Sequence, residues 1–330
     1  MGSDRAHLVN DGTGGMNVGK IAFVFPGQGA QTVGMAKDAY EQYASARKVF
    51  ELADESLGFS LSEIIFDGPD TELKKTYNTQ PALLTASIAL LAVLQEKSDV
   101  RADFVAGHSL GEYSALVAAG AISFADAVKT VRARGQYMEQ AVPSGLGAMA
   151  AVLGGERDAL QSLCDEITSA GSLVQPANIN CPGQIVISGT EQGVQAVVER
   201  GKEIGAKRVL KLEVSGPFHS ALMAPAAAQL KQTLEGIQIN DATIPVVANV
   251  TAQVAQNADQ IRELLVEQVC SSVLWDDSVR WLLAQGVDTF IEIGSGNVLS
   301  GLIKKIDGTV RIHTLNSVAA IESFVNEVAV

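Results

Sequence analysis

The stretch that decides the fold is Asp103-Phe104-Val105-Ala106-Gly107-His108-Ser109-Leu110-Gly111-Glu112-Tyr113. Residues 103–106 read as a buried strand, and the run that follows Gly111 reads as a helix through residue 119. Between them two glycines flank a serine at Gly-x-Ser-x-Gly spacing. Glycines let the main chain turn sharply from strand into helix, which lifts the Ser109 hydroxyl clear of a sheet and sets the N–H of Leu110 at a helix N-terminus. A motif this short recurs by chance, so its weight comes from the strand before it and the helix after it. Together they describe an α/β protein that presents a serine nucleophile.

Working outward, residues 21–25 form a second apolar run ending at Pro26-Gly27, a buried strand feeding the loop Gly27-Gln28-Gly29-Ala30-Gln31. A helix is expected near 34–52, another starts at Pro81 and runs through 94, and a third covers 124–141 with Ser123 as N-cap. Pro143-Ser144-Gly145 stops it. Beyond that break the pattern becomes strand 148–153, helix 156–169, strands 173–179 and 184–188, helix 191–204 and strand 208–214. That order, βαββαβ, is the ferredoxin-like unit. After Pro217 the α/β pattern resumes with a helix over 221–234, a strand over 245–249, helices near 259–269 and 277–285, and strands over 288–293 and 310–315.

The expected organisation is therefore a large α/β subdomain of residues 16–142 plus 215–330, interrupted by a ferredoxin-like subdomain of residues 143–214. Residues 1–15 are polar and glycine-rich, lack the apolar centre of a signal peptide and precede a second plausible start at Met16, so they read as a leader outside the fold. A ligand is expected in the cleft between the two subdomains.

Composition narrows the function. The chain has 330 residues, 47% hydrophobic and 18% charged, with 31 glycines, which suits an α/β enzyme with buried strands. A net charge of −13 argues against general affinity for nucleic acid or anionic membranes, both of which need surplus Lys and Arg. Cys164, Cys181 and Cys270 form no CxxC pair and no Cys/His spacing, so neither a disulfide framework nor a metal site is indicated and a cytoplasmic location is expected. The longest apolar stretches, such as 81–94, carry polar interruptions and fall short of the roughly 20 apolar residues of a membrane span.

A nucleophilic serine needs a base, and the candidates are His7, His108, His219 and His313. His7 lies in the leader, His313 inside an expected strand, and His108 points elsewhere on the turn from its neighbour Ser109. His219, in Ser215-Gly216-Pro217-Phe218-His219-Ser220, sits where the small subdomain rejoins the large one. On position alone it is either the base or an ordinary histidine at a helix start. Of the two arginines on the 124–141 helix, Arg132 and Arg134 face different sides, so one can point inward while the other is wet.

Phe25-Pro26-Gly27-Gln28-Gly29, Gly107-His108-Ser109-Leu110-Gly111-Glu112-Tyr113, Arg134-Gly135, Asn178-Ile179-Asn180-Cys181-Pro182-Gly183-Gln184 and Pro217-Phe218-His219-Ser220 occur together in order. This set closely resembles the malonyl-CoA:acyl carrier protein transacylase family of dissociated fatty acid synthesis, from Lys20 to the C-terminus. The resemblance implies an α/β-hydrolase-like core with a parallel sheet and a ferredoxin-like insert. It implies Ser109 as nucleophile and His219 as base, with Gln28 and the N–H of Leu110 as oxyanion hole. A backbone carbonyl at Gln268 would orient the histidine in place of the acid of a hydrolase triad. Arg134 would bind the malonyl carboxylate through its planar fork. Phe218 would occupy the space of an α-methyl group and so select malonyl, and Asn180 and Gln184 match a loop near the substrate.

The implied partners are malonyl-CoA and acyl carrier protein, with no metal or redox cofactor and a monomeric enzyme. Because the usual carrier is acidic and this chain is acidic too, docking calls for a local basic patch, with Lys207, Arg208, Lys304 and Lys305 as candidates. The rival readings are a polyketide-pathway malonyl or methylmalonyl acyltransferase, a serine esterase or thioesterase, and a catalytically silent carrier-binding module.

Overall fold

The computed structural model describes residues 19–328 and, before them, an antiparallel pairing of Val9–Asn10 with Met16–Asn17; the rest of the expected leader lies outside the described residues. From Lys20 onward the strands are β1 (Lys20–Phe25), β2 (Phe104–Gly107), β3 (Gly147–Gly154), β4 (Val174–Cys181), β5 (Gln184–Thr190), β6 (Ala206–Lys211), β7 (Val246–Val247), β8 (Val254–Ala255), β9 (Val287–Ile293) and β10 (Arg311–Leu315). One sheet runs β8-β7-β2-β1-β9-β10 and is parallel except for the β8–β7 pair. The other runs β4-β5-β3-β6 and is antiparallel throughout. With helices Arg157–Ser169 and Glu191–Arg200 it has the expected ferredoxin-like order.

The parallel sheet is buried on both faces, and β1 shows how. Ile21, Phe23 and Phe25 point into a core shared with helix Thr76–Lys97, whereas Ala22 and Val24 point into a second core with Trp275, Leu299 and Phe290. That is the near-continuous apolar run expected of a parallel strand covered by helices on each side. The antiparallel sheet covers one face with its own helices, packing Ala150, Val152, Ile185 and Ile187 on Leu160, Leu163 and Val197. Met149 and Val186, on its other face, join the main core and line the cleft between the sheets.

Several elements differ from the sequence expectation for identifiable reasons. The helix expected to start at Pro81 begins five residues earlier, at Thr76, with Pro81 inside it. A proline there cannot donate to the carbonyl of Tyr77, one turn back. Arg132 Nη1 takes over that carbonyl at 3.0 Å and also donates to Asn78 Oδ1. Arg132 is accordingly half-buried and packed over Tyr77 and Phe59, not a wet surface residue. The lengthened helix is long and apolar enough to cross a membrane, contrary to the length argument above, but 89% of its apolar window is buried inside the protein.

The helix expected near 34–52 is two, Lys37–Gln42 and Ala44–Leu57, separated by an extended Tyr43. The strand expected over 245–249 shrinks to β7, because Asn249 turns away to bond the serine loop. The helix expected over 221–234 opens as a 3-10 turn, Ala221–Met223, before Ala224–Glu235.

Candidate active site

The serine loop is set by close main-chain contacts. A Cβ on Gly107 would lie 1.9 Å from the carbonyl oxygen of Gly111, and one on Gly111 would lie 2.0 Å from that of Phe25, so both positions require glycine. Ser109 itself is forced to φ 51°, a left-handed conformation costly for a side-chain-bearing residue. Asn249 holds it there from β7's end: its Oδ1 accepts from Ser109 N at 2.8 Å and its Nδ2 donates to Gly107 O at 2.7 Å.

Ser109 Oγ lies 2.7 Å from His219 Nε2, and His219 Nδ1 lies 2.9 Å from the main-chain oxygen of Gln268. A carbonyl can only accept, so the proton sits on Nδ1 and Nε2 presents its lone pair to the serine hydroxyl. His219 also adopts a left-handed backbone, φ 55°, and is buried. Burial, reinforced by the neighbouring Arg134 charge, lowers its pKa to about 3, which keeps the ring neutral and able to accept a proton.

Arg134 reaches the same hydroxyl, with Nη2 at 3.2 Å from Ser109 Oγ. It is buried on helix Phe124–Gln140, and burial holds its pKa below the usual guanidinium value. Its partners are two amide oxygens, Gln80 Oε1 at 2.7 Å and Gln268 Oε1 at 2.9 Å. Its Nε is buried without a protein partner. The guanidinium is therefore positioned with no carboxylate in direct contact, which suits it to an incoming anion.

These groups lie at one cleft of about 250 Å³ between the two sheets. Gln28 lines it from the loop after β1, and Leu110 stands at the N-cap of helix Gly111–Ala118, where N–H groups lack intrahelical acceptors. Phe218 is 5% exposed and forms part of the wall, as do Gln184 and Asn180. Asn180 Oδ1 bonds His108 Nε2 at 2.8 Å, so the His108 ring is tied to β4 and not to Ser109. His313 packs edge-on against Phe324 at 4.8 Å, away from the cleft. Lys207, Arg208, Lys304 and Lys305 are exposed and none lines the cleft.

The sequence reading assigned no role to Asn249, Gln80 or Glu112, nor to the side chain of Gln268. That side chain ties the site together, since the two hydrogens of its Nε2 are shared among Glu112 Oε2 at 2.8 Å, Ser109 O at 3.0 Å and Asn249 Oδ1 at 3.2 Å. The available signal was a charged residue inside an otherwise uncharged run, as with Glu112 among residues 110–118.

A family model described as acyl transferase domain matches residues 22–317. The malonyl CoA-acyl carrier protein transacylase of Bacillus subtilis (strain 168) is 55% identical over 303 residues, 92% of this chain and 95% of that protein. The chain belongs to the malonyl CoA-acyl carrier protein transacylase family. Solved members share the fold: an acyl-carrier-protein-S-malonyltransferase from Bartonella henselae superposes with a TM-score of 0.91 at 43% identity, covering 94% of this chain and 100% of that one. A malonyl-transacylase in complex with its type II PKS acyl-carrier protein gives 0.90 at 43% identity, covering 93% and 99%. Members of this family are acyltransferase enzymes.

Proposed function

We propose that the protein transfers a malonyl group from malonyl-CoA to the phosphopantetheine thiol of acyl carrier protein through a malonyl ester on Ser109. The observation that carries this reading is the contact of one hydroxyl, Ser109 Oγ, with both the lone-pair nitrogen of His219 and the guanidinium of Arg134. A base beside the nucleophile serves any acyl transfer; a buried arginine beside it with no carboxylate bound to its fork selects an acyl group that carries its own carboxylate.

In the first half-reaction Ser109 Oγ attacks the thioester carbonyl as His219 Nε2 takes its proton. The oxyanion is received by Gln28 and the N–H of Leu110, where one such donor contributes on the order of 3 kcal/mol. The imidazolium returns the proton to the departing thiolate of coenzyme A. In the second half the carrier's thiol gives its proton to His219 and attacks the ester, Ser109 leaving with that proton. Arg134 grips the distal carboxylate throughout, and Phe218 fills the space an α-methyl would need.

The same reading takes residues 143–214 as a small subdomain closing over the larger one, and a monomer working in the cytoplasm. It places carrier docking on Lys207, Arg208, Lys304 and Lys305. Intact-mass measurement after mixing with malonyl-CoA tests the core of it: the protein gains one malonyl group and Ser109→Ala gains none. An adduct of unchanged yield on that variant would overturn the assignment.

A further inference from the structure

We propose that Glu112 is a positioning residue for malonyl recognition, fixing which way round the Gln268 amide sits and thereby aiming Arg134 at the substrate carboxylate. The inference rests on the reading of Arg134 given above.

Gln268 can serve Arg134 only if its amide oxygen faces the guanidinium; flipped, it would present N–H donors to a group that has only donors. The orientation is decided on its other side. There the two hydrogens of Nε2 are shared among three acceptors, Glu112 Oε2 at 2.8 Å, the Ser109 carbonyl at 3.0 Å and, most distantly, Asn249 Oδ1 at 3.2 Å. Asn249 cannot change its own orientation freely, since Oδ1 accepts from Ser109 N and Nδ2 donates to Gly107 O. Glu112 makes the shortest of the three contacts, and the same Oε2 accepts from Asn249 N at 3.1 Å.

The buried carboxyl holds two groups beneath the site, the Gln268 amide and the main-chain nitrogen of Asn249. It is 4% exposed and does not line the cleft, so it does not touch substrate. A carboxylate placed directly on Arg134 would occupy the fork that the substrate needs. Set one glutamine away, it directs the guanidinium and leaves the fork open. Burial raises the pKa of Glu112 to about 7, against the opposing pull of Asn249, Gln268 and Arg134. Protonation on Oε1 leaves the Oε2 acceptor in place, so the orienting contact survives either state.

The test compares malonyl-CoA with acetyl-CoA, which lacks the distal carboxylate, by the ratio of their kcat/KM values in Ser109 acylation. Glu112→Leu should lower that ratio roughly tenfold, the effect of a lost hydrogen bond to a charged group. Glu112→Gln, which keeps an amide oxygen as acceptor, should restore it. If Glu112→Leu does not fold, as judged by thermal melting, Gln268→Leu keeps the main-chain carbonyl for His219 and should show the same selective loss. A fall in both substrates with the ratio unchanged would overturn the positioning role, as would Glu112→Gln behaving like the leucine variant. Arg134→Ala separates the two layers: its ratio must fall, and if it does not, both the malonyl reading of Arg134 and this inference fail.

Discussion

The two sheets solve different problems. The parallel sheet is sealed on both faces, and β1 and β2 expose little beyond Lys20. The antiparallel sheet is sealed on one face, turns the other to the cleft, and ends in the edge strand β6, where four of six residues are exposed. Ser109 is built at the end of the first, where main chain packs on main chain. His219 follows the second, on a loop whose Pro217 and Phe218 side chains lie closest to Gly147 and Gly216. Close main-chain packing is thus concentrated under Ser109, and side-chain packing around the loop that carries His219.

The contrast can be broken most forcefully at glycines. Gly107→Ala puts a methyl 1.9 Å from a carbonyl oxygen and 2.5 Å from the Glu112 nitrogen, atoms that cannot yield, and should cost at least about 3 kcal/mol in denaturant unfolding. Gly216→Ala, before the histidine, meets the Phe218 ring edge at 3.1 Å and the Met138 carbonyl oxygen at an ordinary 3.6 Å. It should cost under about 1 kcal/mol and show itself as a changed malonyl-CoA KM. Equal losses of stability would mean the two regions are equally stiff.

A pH profile sharpens the comparison at His219. Its pKa is lowered from 6.5 to about 3, so the neutral base persists as pH falls below 6.5 and is lost only on approaching the lower value. The unfolded chain binds that proton first, so the group contributes stability above 6.5 and loses it on acidification. Acylation by malonyl-CoA should therefore change little between about pH 7 and about pH 5, where a free imidazole would lose more than about tenfold. A break near 6.5 would show that the loop opens to water in solution.

The smallest effect belongs to the edge strand. Reversing charge at Lys207 and Arg208 should raise the apparent KM for carrier protein severalfold, leave coenzyme A exchange intact and weaken with salt. Unchanged carrier kinetics would reject this patch.

What was legible in the sequence follows the same division. The serine loop could be read because close main-chain approach demands glycine, and glycine is visible in a sequence. The βαββαβ order was visible because its helices and strands alternate locally. The polar lattice beneath the site was not, because its partners are far apart in the chain: Asn249 bonds Ser109 across 140 residues and Gln268 reaches Glu112 across 156. Pro81 misled for the same reason, its stranded carbonyl being met by an arginine 55 residues beyond Tyr77.

The single carbonyl behind His219 has a kinetic consequence. An acidic partner would stabilise the imidazolium strongly and make even water a competent attacker; a neutral oxygen stabilises it less. Thiols release their proton far more readily than water does, so they lose less by this weaker assistance. On the proposed mechanism, the acyl-serine is then a holding state that favours a thiol over water, and the lack of a carboxylate behind the histidine is what sets that preference.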